Sequence, residues 1–270
     1  MADTIFADVS EFQCPVDDSY PYQVLSFRSN DGTHRDANFY QNYGWAAAAA
    51  DAGRLSCFIV YFYWRQNWFD CVNTLRDMVE RAGGPHPKMV VMIDLESGGN
   101  PGGDQSDGAN RAYWNLVDWL GGNEERVIGY ANLGDARSMW QTRPDKLELI
   151  MAGYGQNPNY PGQIAHQYTD GQGYGGGLPE GCAPFGNCDM NSADGLSPED
   201  FAATCGVGTA PAQEAGPLMA LSNEEQRELL DKVRYIAGQL GPWPQLGTND
   251  KGEPLTVVDA VAKHTAGGTK

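Results

Sequence analysis

Between residues 4 and 190, short apolar runs alternate with stretches of helical spacing, and this alternation restricts the fold more than any other feature of the chain. Runs such as Met89-Val90-Val91-Met92-Ile93 are continuously apolar, the pattern of strands buried on both faces. Eight segments read as strands: residues 4–9, 24–28, 57–64, 88–96, 127–132, 148–154, 164–168 and 187–190. Helical spacing fills 39–52, 68–81, 109–120 and 135–140, and glycines close the first three at Gly53, Gly83-Gly84 and Gly121-Gly122. Strands alternating with helices build a parallel sheet, and eight of them in so short a chain close into a βα barrel. The connections shorten after Val127, so the second half of the barrel is expected to carry little helix.

The remaining chain reads as an appendage. Residues 206–217 are rich in Gly, Ala, Pro and Thr and read as a linker between a barrel over 1–205 and a tail over 218–270. From Leu221 to Leu240 the tail predicts one amphipathic helix, opened by a Ser222/Glu225 capping box. Leu229, Leu230, Val233, Ile236, Ala237 and Leu240 form its apolar stripe. A soft Gly/Thr/Lys end is expected beyond it. The stripe needs a partner, and self-association, a virion component or a wall ligand would each serve.

With 18 basic against 35 acidic side chains, the net charge of −17 argues against nucleic-acid and anionic-membrane partners. No run approaches the ~20 apolar residues of a membrane span. The first residues lack the basic and apolar regions of a secretory signal peptide. Six scattered cysteines predict mostly buried thiols, with Cys182 and Cys188 the one pair placed to bridge. His34, His86, His166 and His264 share no metal-ligand spacing, and neither a metal nor a cofactor is expected. Gly173 to Gly177 lacks the Lys-Ser/Thr of a phosphate cradle and reads as a flexible loop.

The chemistry concentrates at strand ends. Asp94 and Glu96 close the strand at 88–96 and, two residues apart, face the same side about 6.5–7 Å from one another. A solvated strand end would read the same way. Asp8 ends the first strand, however, and Asp189 lies in the last, which is the first strand's neighbour in a closed barrel. Four carboxyls converging on one mouth push proton affinities apart, which is what glycosidic cleavage requires. Tyr61, Tyr63, Tyr130 and Tyr154 also sit at strand ends, where aromatic faces suit sugar rings; some of them would simply fill the barrel.

These residues carry a resemblance to the family 25 glycoside hydrolases, the Chalaropsis-type lysozymes. Asp8-Val9-Ser10-Glu11-Phe12-Gln13 resembles the family's opening motif, and Asp94-Leu95-Glu96 its paired acids. Ala152-Gly153-Tyr154, His166-Gln167-Tyr168-Thr169 and Asn187-Cys188-Asp189-Met190-Asn191 resemble its later motifs, in the family's order. The resemblance implies an irregular TIM-like (β/α)5β3 barrel and N-acetylmuramidase activity on peptidoglycan. It assigns Glu96 as general acid and Asp94 as the group that orients or charge-stabilises the substrate acetamido, or acts directly. Asp8 and Asp189 would tune that pair and hold the sugar, with Gln167 and Tyr154 beside them. His166 stands where the family has Trp, and Phe62 where it has His. The tail resembles, more loosely, C-terminal segments of actinobacteriophage lysins and virion proteins. The implied settings are host lysis from the cytoplasm after holin release, a virion-tail lysozyme, or a non-catalytic glycan-binding module.

Overall fold

The computed structural model describes residues 3–208, 232–233, 235–249 and 251–266. The chain forms two compact units, Met1–Ala212 and Gln213–Lys270.

The first unit is a closed eight-stranded barrel. Its strands are β1 (Ile5–Val9), β2 (Val24–Asp31), β3 (Cys57–Tyr63), β4 (Met89–Asp94), β5 (Val127–Asn132), β6 (Leu149–Ala152), β7 (Gln163–Thr169) and β8 (Asp189–Ser192). Neighbours run parallel from β1 through β7. The final strand runs antiparallel to both β7 and β1 and closes the ring. The antiparallel closure lets β8 follow β7 without a crossover helix.

Four helices cover the outside: α1 (Phe39–Asp51), α2 (Trp68–Arg81), α3 (Ser106–Trp119) and the short α4 (Leu133–Ser138). The (β/α)5β3 expectation needs a fifth crossover helix, and the β1–β2 connection does not form one. Residues 10–23 carry Pro15 and Pro21, with the Asp17 carboxylate accepting from the Ser19 amide between them, so the segment turns instead of winding. The last strand also starts later than expected, at Asp189, because Gly186–Asn187 pairs with Gly181–Cys182 in a separate two-stranded ribbon. Cys182 and Cys188 are both free thiols, so the expected bridge is not formed, and Cys188 Sγ donates to Met190 Sδ at 3.7 Å. The Gly-rich stretch 173–177 is tied rather than loose: the amides of Gly173 and Gly175 donate to the Glu180 carboxylate, which also accepts from Thr169.

Strand alternation sorts the core into two regions. Val60, Phe62, Val91, Ile93 and Ala131 point outward against the helices. Phe6, Val24, Ile59, Val90, Met92, Ile128 and Ile150 fill the interior. Gly129 belongs to the outer face, where a Cβ would come within 2.8 Å of both Leu149 and Trp140, so the indole packs directly on the strand. After β8 the chain forms α5 (Pro198–Thr204), with Ser197 as its N-cap. Phe201 from this helix is fully buried, 5.3 Å ring-to-ring from Phe6, among the interior residues of the barrel. Apolar side chains thus fill most of the lower interior, and the acidic groups gather at the other end, at the carboxyl ends of the parallel strands and the start of β8.

In the second unit, the described residues of the expected 221–240 helix (232–233 and 235–240) are helical; the rest of it, and linker residues 209–217, lie outside the described residues. The end of the chain corrects the expectation of a soft tail. Trp243–Thr248 and Pro254–Leu255 pair as a hairpin, followed by a helix at Val257–Ala266. Thr256 and Asp259 cap that helix reciprocally: the Thr256 hydroxyl accepts from the Asp259 amide, and the Asp259 carboxylate accepts from the Thr256 amide. No helix among the described residues is long and apolar enough to cross a membrane.

Candidate active site

Register sets the mouth of the barrel. Asp8 lies opposite Ser26 on one side and Asp189 on the other. Arg28 pairs with Tyr61, and Tyr61 with Met92. One step higher, Tyr63 pairs with Asp94 and Asp94 with Tyr130. Beyond them Asn132 pairs with Ala152, and Ala152 with Gln167. Side chains of alternate residues therefore converge. Asp8, Asp94, Glu96, Asp189, Tyr61, Tyr63, Tyr130, Tyr154 and Gln167 all line one cavity of about 210 Å³, so every site residue expected from the sequence meets there. A second cavity of about 230 Å³ adjoins it, lined by Glu96, Tyr130, Asn132, Ala152, Gly153 and Tyr154. Glu96 stands on the wall shared by the two.

Glu96 lies two residues past the end of β4, yet its position is fixed. The Leu95 amide continues the ladder to the Tyr130 carbonyl, and the Asn100 side chain donates to the Glu96 carbonyl at 2.7 Å. The next amide, Ser97, donates to Asp135, which Asn132 also holds at 2.6 Å. The loop after Ser97 is strapped to β3, with the Tyr63 hydroxyl and the Arg65 guanidinium both donating to the Gly98 carbonyl. Arg65 lies over the Tyr63 ring at 4.4 Å and is anchored on Asp31. On the far rim, Tyr154 stacks on Tyr174 from the tied Gly-rich loop, at 5.7 Å between ring centroids. The Tyr130 and Tyr154 hydroxyls both donate to Gln167 Oε1.

Four carboxyls share this space, and all four hold their protons more tightly than free carboxylic acids. Burial is the main cause at each. Asp8 is pushed up to about 7, with the Asp189 charge adding to the effect and hydrogen bonds from Tyr61 and Ser26 opposing it. Asp189 rises to about 6, helped by Asp170. Asp94 is raised well above the carboxylate range by burial and then by the Glu96 charge. Its Oδ1 is buried without a hydrogen-bond partner among the described residues. Glu96 is raised by burial and by the neighbouring charges of Asp135 and Asp189. The site thus carries dissociable protons near neutral pH.

Sequence reasoning missed Arg28, the one cation lining the main cavity. Its Nε donates to both oxygens of buried Asp36 at 2.9 Å. The signal was present, since Arg28 is two residues from inward-facing Ser26 on the same strand. Glu11, His34 and Asp36 bring potential ligand atoms within 4.8 Å of one another, but Asp36 is occupied by Arg28, and Glu11 pairs with His34 at 2.7 Å. The opening motif has a structural explanation here. Gln13 Oε1 accepts from the Ser10 amide and Asp36 from the Glu11 amide, pinning the turn after β1. The two departures from the resembled family fall outside the cavity. His166 bonds Asp194 at 2.9 Å, its strand neighbour Gln167 being the one that faces inward, and Phe62 is buried under the helices.

Solved structures of peptidoglycan-associated hydrolases share this irregular α/β barrel fold. The catalytic domain of endolysin ply40 from a Listeria monocytogenes bacteriophage superposes with a TM-score of 0.55 at 18% identity, over 76% of this chain and 98% of that one. A family 25 glycosyl hydrolase from Bacillus anthracis superposes with a TM-score of 0.54 at 16% identity, over 74% and 92%. In sequence, the chain belongs to the family of the uncharacterized protein Rv3766 of Mycobacterium tuberculosis. The two are 59% identical over 267 residues, spanning 97% of this chain and 96% of that protein. Residues 221–267 match the Rv3766 C-terminal domain family.

Proposed function

We propose that the protein is a peptidoglycan hydrolase of the lysozyme type, cleaving the β-1,4 bond between N-acetylmuramic acid and N-acetylglucosamine. The observation that carries the reading is Glu96 on the wall between two adjoining cavities, one of them lined by three further carboxyls. A bond to be cut must straddle its proton donor, with one ring on each side. The ring in the carboxyl-lined cavity develops positive charge as the bond breaks, and Asp94, Asp8 and Asp189 surround it. Glu96, its proton affinity raised, protonates the leaving oxygen. Asp94 is the group that orients or charge-stabilises the acetamido, or acts directly, and its unpartnered Oδ1 is suited to receive a substrate N–H. Tyr154 and Tyr174 offer an aromatic face at the rim of the neighbouring cavity. No step calls on a metal or cofactor.

The biological setting is a second part of the proposal. Lysis of a phage host is the reading that the tail and the barrel motifs suggest together. The relative in Mycobacterium tuberculosis favours turnover of a bacterium's own wall by the same chemistry. Digestion of purified peptidoglycan tests the reaction, with a reducing-end muramic acid as the expected product. Reducing N-acetylglucosamine, or amino groups freed from stem peptides, would refute it.

A further inference from the structure

Glu96 shares its place between the two cavities with Tyr130 and Tyr154, which also line both. Tyr130 is buried, whereas Tyr154 is 42% exposed and follows β6 between two glycines, Gly153 and Gly155. Its backbone is paired to β7, with the Gly153 amide on the Gln167 carbonyl at 3.0 Å and the Gly155 amide on the Tyr168 carbonyl at 3.1 Å. Its hydroxyl tip is fixed on Gln167 at 3.1 Å. The ring between these anchors is stacked on Tyr174, 5.7 Å between centroids and 27° between planes. Whatever holds Tyr174 therefore helps to set where the Tyr154 ring stands.

We propose that Glu180 is a positioning residue for the glycan: it grips the loop on both sides of Tyr174, and Tyr174 in turn sets the Tyr154 ring against the two sugars that flank the bond to be cut. The inference rests on the lysozyme reading. One carboxylate gathers three donors, Oε2 accepting from the Gly173 amide at 3.1 Å and from the Thr169 hydroxyl, and Oε1 from the Gly175 amide. Gly173 and Gly175 are the chain neighbours of Tyr174, so the residue is held from either side. The close approach needs glycine, since a Cβ on Gly175 would come within 2.7 Å of Glu180 Oε1 and 2.5 Å of the Leu178 carbonyl. The anchor is itself referenced to the site. Thr169 ends β7, two residues from inward-facing Gln167. The Pro179 carbonyl accepts from the Tyr168 hydroxyl at 2.7 Å, and the Glu180 carbonyl accepts at 3.2 Å from the amide of Cys188, the neighbour of Asp189. The bond from Thr169, followed by those from the amides, holds the Glu180 carboxyl below its usual range, so near neutral pH it acts only as an acceptor. Neither Glu180 nor Tyr174 lines either cavity, so their effect on substrate passes through Tyr154. A stacking contact made alike in the bound substrate and in the transition state moves KM and leaves kcat nearly in place.

The test uses the full chain with Glu180→Gln, which keeps the length of the side chain but turns one acceptor oxygen into a donor facing another donor. KM on soluble glycan fragments is expected to rise roughly 2–10-fold, the worth of one aromatic pair, with little change in kcat. Tyr174→Ala should raise KM by the same factor, and the double variant by no more than either single one, because both break the same contact. Tyr174→Phe, which keeps the ring, should recover most of the loss. In NMR spectra, the NOEs between the Tyr154 and Tyr174 rings should vanish in Glu180→Gln. If Glu180→Gln leaves KM or those NOEs in place, whatever it does to the melting temperature, Glu180 is merely structural and the proposal fails. If Glu180→Gln does not fold, Tyr174→Ala at its exposed position carries the test, and an unchanged KM would overturn the proposal. Wild-type protein that cuts no glycan would refute the lysozyme reading, while the ring NOEs would still decide whether Glu180 sets Tyr154.

Discussion

Glu96→Gln keeps the size and hydrogen-bonding reach of the side chain and removes only its transferable proton. General acid assistance contributes on the order of 10²–10⁴ in rate, so kcat on soluble glycan should fall by that factor while the melting temperature holds. A variant within a few-fold of wild type would remove Glu96 from the chemistry. Asp8 makes a different prediction, about stability. Its folded-state value, about 7, lies above the ordinary 3.8 of an unburied aspartic acid. The native state therefore binds this proton more tightly, and its contribution to stability is full at low pH and is lost as pH rises from about 4 to about 7. Above that window the buried charge costs a few kcal/mol. Asp8→Asn should raise the melting temperature at pH 8 and leave it nearly unchanged at pH 4. The expected site residues were legible because strand alternation is a strict geometric rule: once Asp94 faces inward, so does Glu96. The same rule could have found Arg28, two residues from Ser26, but not Asp36, because nothing in the strand says which acid, eight residues on, will hold the guanidinium.

At the level of elements, the lower end of the barrel depends on α5. Phe201 is fully buried against Phe6, and the helix is opened by a Ser197 cap and Pro198 at its first turn. Phe201→Ala should destabilise the first unit by about 3–5 kcal/mol through the cavity it leaves, detectable by denaturant titration. The carboxyls lie at the opposite end of the interior, so activity of the folded fraction should survive. This helix was not read from the sequence, since seven residues are too few for a periodic signal. The second unit has the same lesson. Thr256 and Asp259 carry a helix start that is visible in the sequence, but Gly252, Gly267 and Gly268 around it made the segment look unstructured. The (β/α)5β3 expectation erred in the opposite direction, implying one crossover helix more than the chain forms, and the two prolines of 10–23 keep that connection from supplying it. Local capping and proline chemistry outweighed the regularity of the architecture at each of these places.

For the molecule as a whole, the unit boundary near residue 212 makes the barrel separable. A chain ending at Gly208 keeps buried Cys205 and the bond from Asn123 to the Gly206 carbonyl. It should melt cooperatively and cleave soluble fragments at the full-length rate, with any loss confined to intact walls or to self-association measured by sedimentation. Unfolding on truncation would make the second unit part of the barrel's own core. The antiparallel final strand also governs when the acid cluster is complete. Asp8 lies in the first strand of the barrel to be synthesised and Asp189 in the last, and they are direct partners across the seam. Until β8 has emerged, the nascent sheet lies open along β1 and β7, with two unpaired edges and an incomplete set of acids. A ribosome paused short of that point holds an incomplete acid cluster, and a chain released there exposes two strand edges to its neighbours. Joining the ring and completing the acid cluster are one event, so the full set of acids exists only in chains whose barrel has closed.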